Sequence, residues 1–130
     1  MNPSSETPAI ALRNPKHATD WLATRTIFME YAACLNVDLC FQGFEQELNT
    51  LPGEYSEPRG ALLLAWVDGA VAGCCALRPF DASDYANAAE MKRLYVRPAY
   101  RGLGLGRLLT EGILDAARAA ALFAGCALHP

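Results

Sequence analysis

No apolar run in this chain reaches the length needed to span a bilayer, so neither a transmembrane segment nor a membrane partner is expected. The start, Met1 to Pro8, lacks a basic segment followed by an apolar stretch, which argues against a secretory signal and makes the cytoplasm the expected compartment. Histidine is scarce: His17 and His129 sit near the two ends. The five cysteines (Cys34, Cys40, Cys74, Cys75 and Cys126) are odd in number and contain no Cys-x-x-Cys. That pattern is neither a zinc site nor a disulfide framework, and no metal is expected. Charge of one sign is also missing. Eleven Lys and Arg against fourteen Asp and Glu give a net charge of −3, with no general attraction for nucleic acid. Internal repeats and linkers are absent too. Hydrophobic residues at 52% exclude a disordered chain, and 130 residues suffice for one core. The expected organisation is a polar, flexible tail at 1–8 and one domain at 9–130.

What is present is a glycine run, Arg101-Gly102-Leu103-Gly104-Leu105-Gly106, between an extended stretch ending at Val96 and an amphipathic helix beginning near Gly106. Glycines on alternate positions let the backbone turn tightly and leave its N–H groups uncovered. The helix start adds unpaired donors and the positive end of its dipole. Such a turn either binds an anion, a phosphate or pyrophosphate above all, or simply joins strand to helix. A Walker A loop is excluded, because Gly106 is followed by Arg107 and Leu108 in place of lysine and a hydroxyl residue. The dinucleotide fingerprint fails as well, since no third glycine follows Gly104-Leu105-Gly106 at the required spacing.

The rest of the chain reads as alternating elements. Ala9 to Arg13 is a candidate edge strand, and Ala18 to Leu35 a helix whose inward face is Leu22, Phe28, Tyr31, Ala32 and Leu35. Asp38 is placed to cap a second helix with Phe41, Phe44 and Leu48 inside and Glu45 and Glu47 outside. Thr50 to Arg59 is a loop. Ala61 to Val67 and Ala70 to Leu77 form a hairpin turning at Asp68-Gly69. Cys74 and Cys75 lie inside its second strand, one facing each side, as buried thiols. Pro79 ends that strand and Phe80 to Asn87 is a polar excursion. Glu90 to Val96 is the next strand. Leu105, Leu108, Leu109, Gly112, Ile113, Ala116, Ala117 and Ala120 mark the wide apolar face of the last helix. These elements predict a mixed α/β domain, a mainly antiparallel sheet flanked by helices.

The run from Glu90 through Leu109 closely resembles the acetyl-CoA-binding motif of the GCN5-related N-acetyltransferases, Gln/Arg-x-x-Gly-x-Gly/Ala, with Arg101, Gly104 and Gly106 in its specified places. The resemblance covers about residues 10 to 122. It implies that family's fold and acetyl-CoA as acyl donor, with the N–H groups of Leu103, Gly104, Leu105 and Gly106 cradling the pyrophosphate. It also implies that the backbone of Leu94 and Val96 pairs with the pantetheine arm like an added strand. Within the same stretch, Tyr95 faces the opposite side and either lines the acceptor site or belongs to the core. Gly102 belongs to the loop. Arg101 either supports the phosphates or is solvated, and Arg107 either reaches a phosphate or lies outside. Glu90 is the candidate general base, removing the proton of an attacking amine; the competing reading is a strand-edge charge paired with Lys92 or Arg93. Glu45, Glu47, Glu54 and Glu57 either draw in a cationic amine or are wet surface.

Family domains usually continue past this helix through further strands, whereas here the chain stops at Pro130, with Gly125 to His129 as a possible stub of a fifth strand. The resemblance therefore implies a domain incomplete at its C-terminus, with no residue matching the tyrosine that commonly protonates the leaving thiolate. An uncovered fourth strand would favour a homodimer. Two functions follow: transfer of an acetyl group to a primary amine of a small molecule or protein, or a catalytically impaired coenzyme A-binding module that acts through association.

Overall fold

A computed structural model describes residues 7–35, 43–79 and 88–120, together with the backbone of 123–129. Asp38, Cys40, Phe41, the tail before Thr7 and the whole Phe80–Asn87 stretch lie outside the described residues. Five strands form one sheet in sequence order: β1 (Ile10–Arg13), β2 (Ala61–Val67), β3 (Ala70–Pro79), β4 (Ala88–Val96) and β5 (Phe123–His129). The first four are antiparallel, and β5 runs parallel to β4. Helices α1 (Ala18–Leu35) and α2 (Phe44–Asn49) cover one face, and α3 (Leu105–Ala119) covers the other. The expected antiparallel sheet flanked by helices is the observed one.

The hairpin forms where expected because Asp68 (φ 50°) and Gly69 (φ 86°) both take the left-handed conformation of a tight two-residue turn. Strand alternation divides its side chains between two cores. Leu62, Leu64, Cys74 and Ala76 join Ile27, Phe28 and Tyr31 of α1, whereas Ala61, Ala65, Cys75 and Leu77 join Leu105, Leu109, Ile113 and Ala117 of α3. Cys74 and Cys75 thus lie buried on opposite faces. Burial pushes both thiols up, Cys75 to about 12, which leaves them protonated and inert near neutral pH.

Two details of the helical faces differ from expectation. Leu22 is 63% exposed, and the buried stripe of α1 is instead Asp20, Thr24, Ile27, Phe28 and Tyr31. Its polar members are satisfied locally: Asp20 accepts the amides of Lys16 and His17 at 3.0 and 3.2 Å, and Thr24 Oγ1 donates to Asp20 O at 2.8 Å. Glu47 turns inward, because it stands three residues after buried Phe44 and shares its face.

Two further features position the site. Strand β4 carries a bulge: Cys74 pairs with Tyr95 and Ala76 with Lys92, so two residues of β4, Arg93 and Leu94, oppose the single Cys75 of β3, and Arg93 sits at φ 62°. Strand β5, longer than the expected stub, pairs with β4 from Ala88↔Phe123 to Lys92↔His129. The expectation of an almost wholly open β4 is corrected to this extent: its first half is covered, and among the described residues no strand lies beside the second half.

Candidate acyl-donor and acceptor site

Arg97 N donates to Ala72 O at 2.8 Å, so in the next antiparallel pair, Gly73↔Val96, the backbone groups of Val96 point away from β3. Those of Leu94, two residues earlier on the same strand, share that direction. Both residues therefore present backbone N–H and C=O to the side that β5 does not cover. Arg101 Nε donates to Val96 O at 3.1 Å, tying the loop to the strand end. Gly73 has no room for a side chain here, since a Cβ would meet Tyr95 O at 2.9 Å and Leu109 Cδ1 at 3.0 Å.

Beyond the strand, Pro98–Tyr100 forms a single 3₁₀ turn, and the loop follows. Gly102 (φ 94°) and Gly104 (φ 79°) are left-handed, and nothing lies within 4 Å of where a Cβ would stand at Gly102, Gly104 or Gly106. Gly104 is the N-cap of α3 and supplies no side-chain cap. The first helical bond runs from Leu108 N to Gly104 O at 3.1 Å. The amides of Leu105, Gly106 and Arg107 precede it and remain donors at the positive helix end. Leu103 is 38% exposed beside them. Arg107 lies outside the cradle, exposed and paired with Glu111 at 3.0 Å.

On the α2 side of the sheet the bulge groups charged residues. Glu90 is buried and its Oε1 accepts Arg78 Nε at 2.6 Å; Arg78 is the cross-strand neighbour of Glu90 and also binds Glu54 at 2.7 Å. Lys92 or Arg93 was the partner expected for Glu90 as a strand-edge charge; the register also brings Arg78 to it. Arg93 is fully buried and binds Glu47 at 2.7 and 2.9 Å. Burial opposes its charge, but Glu47, Tyr55 and Tyr31 together outweigh that and raise its pKa. Tyr95 points to the α1 side, opposite to Leu94 and Val96, and belongs to that core. Its ring meets Tyr31 edge-on at 6.2 Å and its hydroxyl shares a 3.5 Å hydrogen bond with Cys34 Sγ. Burial and the Cys34 contact push it up to about 12. Glu47, Glu54, Tyr55, Arg78, Lys92 and Arg93 help to wall a cavity of ≈ 290 Å³ on this face. Lys92 is half-buried there; burial, then Arg93 and Arg78, hold its pKa below the usual lysine value.

The model of the Acetyltransferase (GNAT) family matches residues 21–129 of this sequence. The chain belongs to that family. An uncharacterized N-acetyltransferase of Schizosaccharomyces pombe is 37% identical over 106 residues, 81% of this chain and 61% of that protein. One of Dictyostelium discoideum is 28% identical over 151 residues, 72% of this chain and 70% of its own length. The chain thus spans 61% of the length of the first of these relatives. Among solved structures, a GNAT-family acetyltransferase of Brucella melitensis in complex with acetyl-CoA superposes with a TM-score of 0.67 at 19% identity, over 88% of this chain and 71% of that one. At that identity the likeness concerns the fold. Among the described residues no helix is long and apolar enough to cross a membrane.

The GNAT loop was legible as a motif. Arg78, the Arg93–Glu47 fork and the cavity at Lys92 were not assigned from sequence. The available signal was three charged residues, Glu90, Lys92 and Arg93, inside a strand whose other members are Ala, Met, Leu, Tyr and Val.

Proposed function

We propose that this chain is an acetyl-CoA-dependent N-acetyltransferase acting on a primary amine of a small molecule or protein. The observation that carries the reading is the loop. Two left-handed glycines, an unobstructed cradle at Gly102, Gly104 and Gly106, and free first-turn amides stand directly after a strand end whose backbone faces an uncovered edge. The loop suits a pyrophosphate, bound by the amides from Leu103 to Arg107, and Arg101 holds the loop against Val96. The backbone of Leu94 and Val96 suits an extended amide-bearing chain such as pantetheine. Tyr95 supports this strand from the core side, with its backbone paired to Cys74 of β3. In the reaction the amine nitrogen forms a bond to the thioester carbonyl carbon, the carbon–sulfur bond breaks, the amine loses a proton and the thiolate gains one. Glu90 is the carboxylate proposed to accept the amine proton, with Arg78 fixing its orientation.

A second reading has its own support. The Glu90 carboxylate is already held by Arg78, an arrangement equally natural for a structural ion pair. Under that reading the chain is a coenzyme A-binding module that self-associates through the uncovered half of β4. Calorimetric titration with acetyl-CoA, followed by thiol release with a panel of amines, separates the two. Binding with amine-dependent thiol release supports the enzyme, and binding without release supports the module. Absence of binding by the folded chain overturns both.

A further inference from the structure

The cavity beside α2 has a charge arrangement that sorts its cations into two kinds. Arg93 donates to both oxygens of Glu47, and Arg78 is held between Glu90 and Glu54. Lys92 is different. It lines the same cavity and is half-buried, yet its ammonium makes no hydrogen bond or ion pair with any described residue. Burial, then repulsion from the Arg93 and Arg78 guanidiniums that line the same cavity, outweighs the fields of Glu90 and Glu47. A partly desolvated ammonium without a counter-ion is an unfavourable arrangement that an incoming anion relieves. The acidic residues nearby offer a cationic amine little. Glu47 and Glu54 are in ion pairs, and Glu57 accepts Asn14 Nδ2 at 3.2 Å.

Position along the strand matters as much as charge. Lys92 is the last β4 residue in register with β5, and the bulge at Arg93 follows. Leu94, where the uncovered edge begins, is two residues on, roughly 7 Å at strand rise. A group seated at Lys92 is therefore a short spacer away from the edge proposed to hold the acyl donor.

We propose that this cavity seats an anionic oxygen group of the amine acceptor, a carboxylate or a phosphate, with the Lys92 ammonium as its partner; this rests on the acetyltransferase reading above. The acceptor class is then a small amino acid or aminoalkyl phosphate in preference to a neutral amine or polyamine.

The full chain, saturated with acetyl-CoA, is assayed with three amines of similar length: β-alanine, 2-aminoethyl phosphate and 3-aminopropanol. The carboxylate or the phosphate is expected to exceed the neutral amine in kcat/KM by at least about tenfold, mainly through KM, and the better of the two identifies the anion. Lys92→Met should collapse that ratio to about one, whereas Lys92→Arg should preserve it. A neutral amine turned over as well as both anions, or a preference that survives Lys92→Met, overturns the proposal.

A second measurement is independent of turnover. Inorganic phosphate and acetate are titrated separately into the chain saturated with coenzyme A while the Lys92 ammonium resonance is followed by NMR. A saturable shift supports the seat, and an unresponsive resonance with both anions overturns it. Failure of all amines to release thiol counts against the acetyltransferase reading and is read apart from the Lys92 response.

Discussion

Arg93 closes on Glu47 with both sides of its guanidinium, Nε to Oε2 at 2.9 Å and Nη2 to Oε1 at 2.7 Å, and so fastens the bulge of β4 to α2. The guanidinium carbon lies 5.4 Å from the Phe44 ring centroid and 5.6 Å from that of Tyr31, so the charge is enclosed by aromatic faces as well as by its carboxylate. Short α2 spans only Phe44–Asn49 and could not hold its place by helix propensity alone.

Glu47→Ala should therefore destabilise the fold by about 3 kcal/mol, because it takes the bidentate carboxylate from a buried charge. The shift in the denaturation midpoint measures this. Replacing both partners, Glu47→Met with Arg93→Met, should recover part of the loss; a double variant worse than the single one would contradict the argument.

Gly104→Asp places a carboxylate where the loop is proposed to hold pyrophosphate, at a backbone φ of 79°. Coenzyme A affinity should fall by at least about a hundredfold, whereas Gly104→Asn, neutral and tolerant of that φ, should lose much less. Calorimetry on both variants separates charge from backbone strain, and equal losses would refute the electrostatic account.

Glu90→Gln keeps the shape of the side chain and leaves Arg78 its second partner, Glu54, at 2.7 Å. If Glu90 is the base, kcat should drop by about two orders of magnitude with coenzyme A binding unchanged. Undiminished turnover would remove it from the mechanism and leave a structural ion pair.

Asp20 accepts the amides of Lys16 and His17 and the Arg13 guanidinium at 3.1 Å. The Lys16 amide is the largest influence; the hydrogen bonds and Arg13 together outweigh burial and lower its pKa below the ordinary carboxylate value. Its contribution to stability is present above the unfolded value and disappears as pH falls through the lower native one. Asp20→Asn should melt below wild type at about pH 7, and the gap should narrow steadily as pH is lowered below about 4. A gap that stays the same size as pH falls would show that charge is not the cause.

The hairpin was readable because Asp68-Gly69 carries its own conformational preference, and the loop because alternate glycines before a helix have few other uses. The sheet and α3 followed from local periodicity. Leu22 was misplaced because hydrophobicity alone assigned it, whereas Asp20 and Thr24 occupy the buried stripe once their polar groups find local partners. Glu47 was set outside because it is charged, although its spacing from Phe44 pointed inward. The pairing of Glu90 with Arg78 depends on the β3–β4 register, which neither segment encodes by itself. An arginine at positive φ leaves no signature in composition, so the bulge was invisible.

That bulge acts as a half-period phase slip in an otherwise two-beat strand. Before it, Glu90 and Lys92 fall on the α2 side; the extra residue lets Arg93 join them, and Tyr95 then keeps that side while Leu94 and Val96 take the other. Shortened by one residue, β4 would keep nearly the same composition but send either the charged half or the half at the uncovered edge to the wrong layer. The charged cavity and the uncovered edge are thus two readings of one strand, held in step by a single inserted residue.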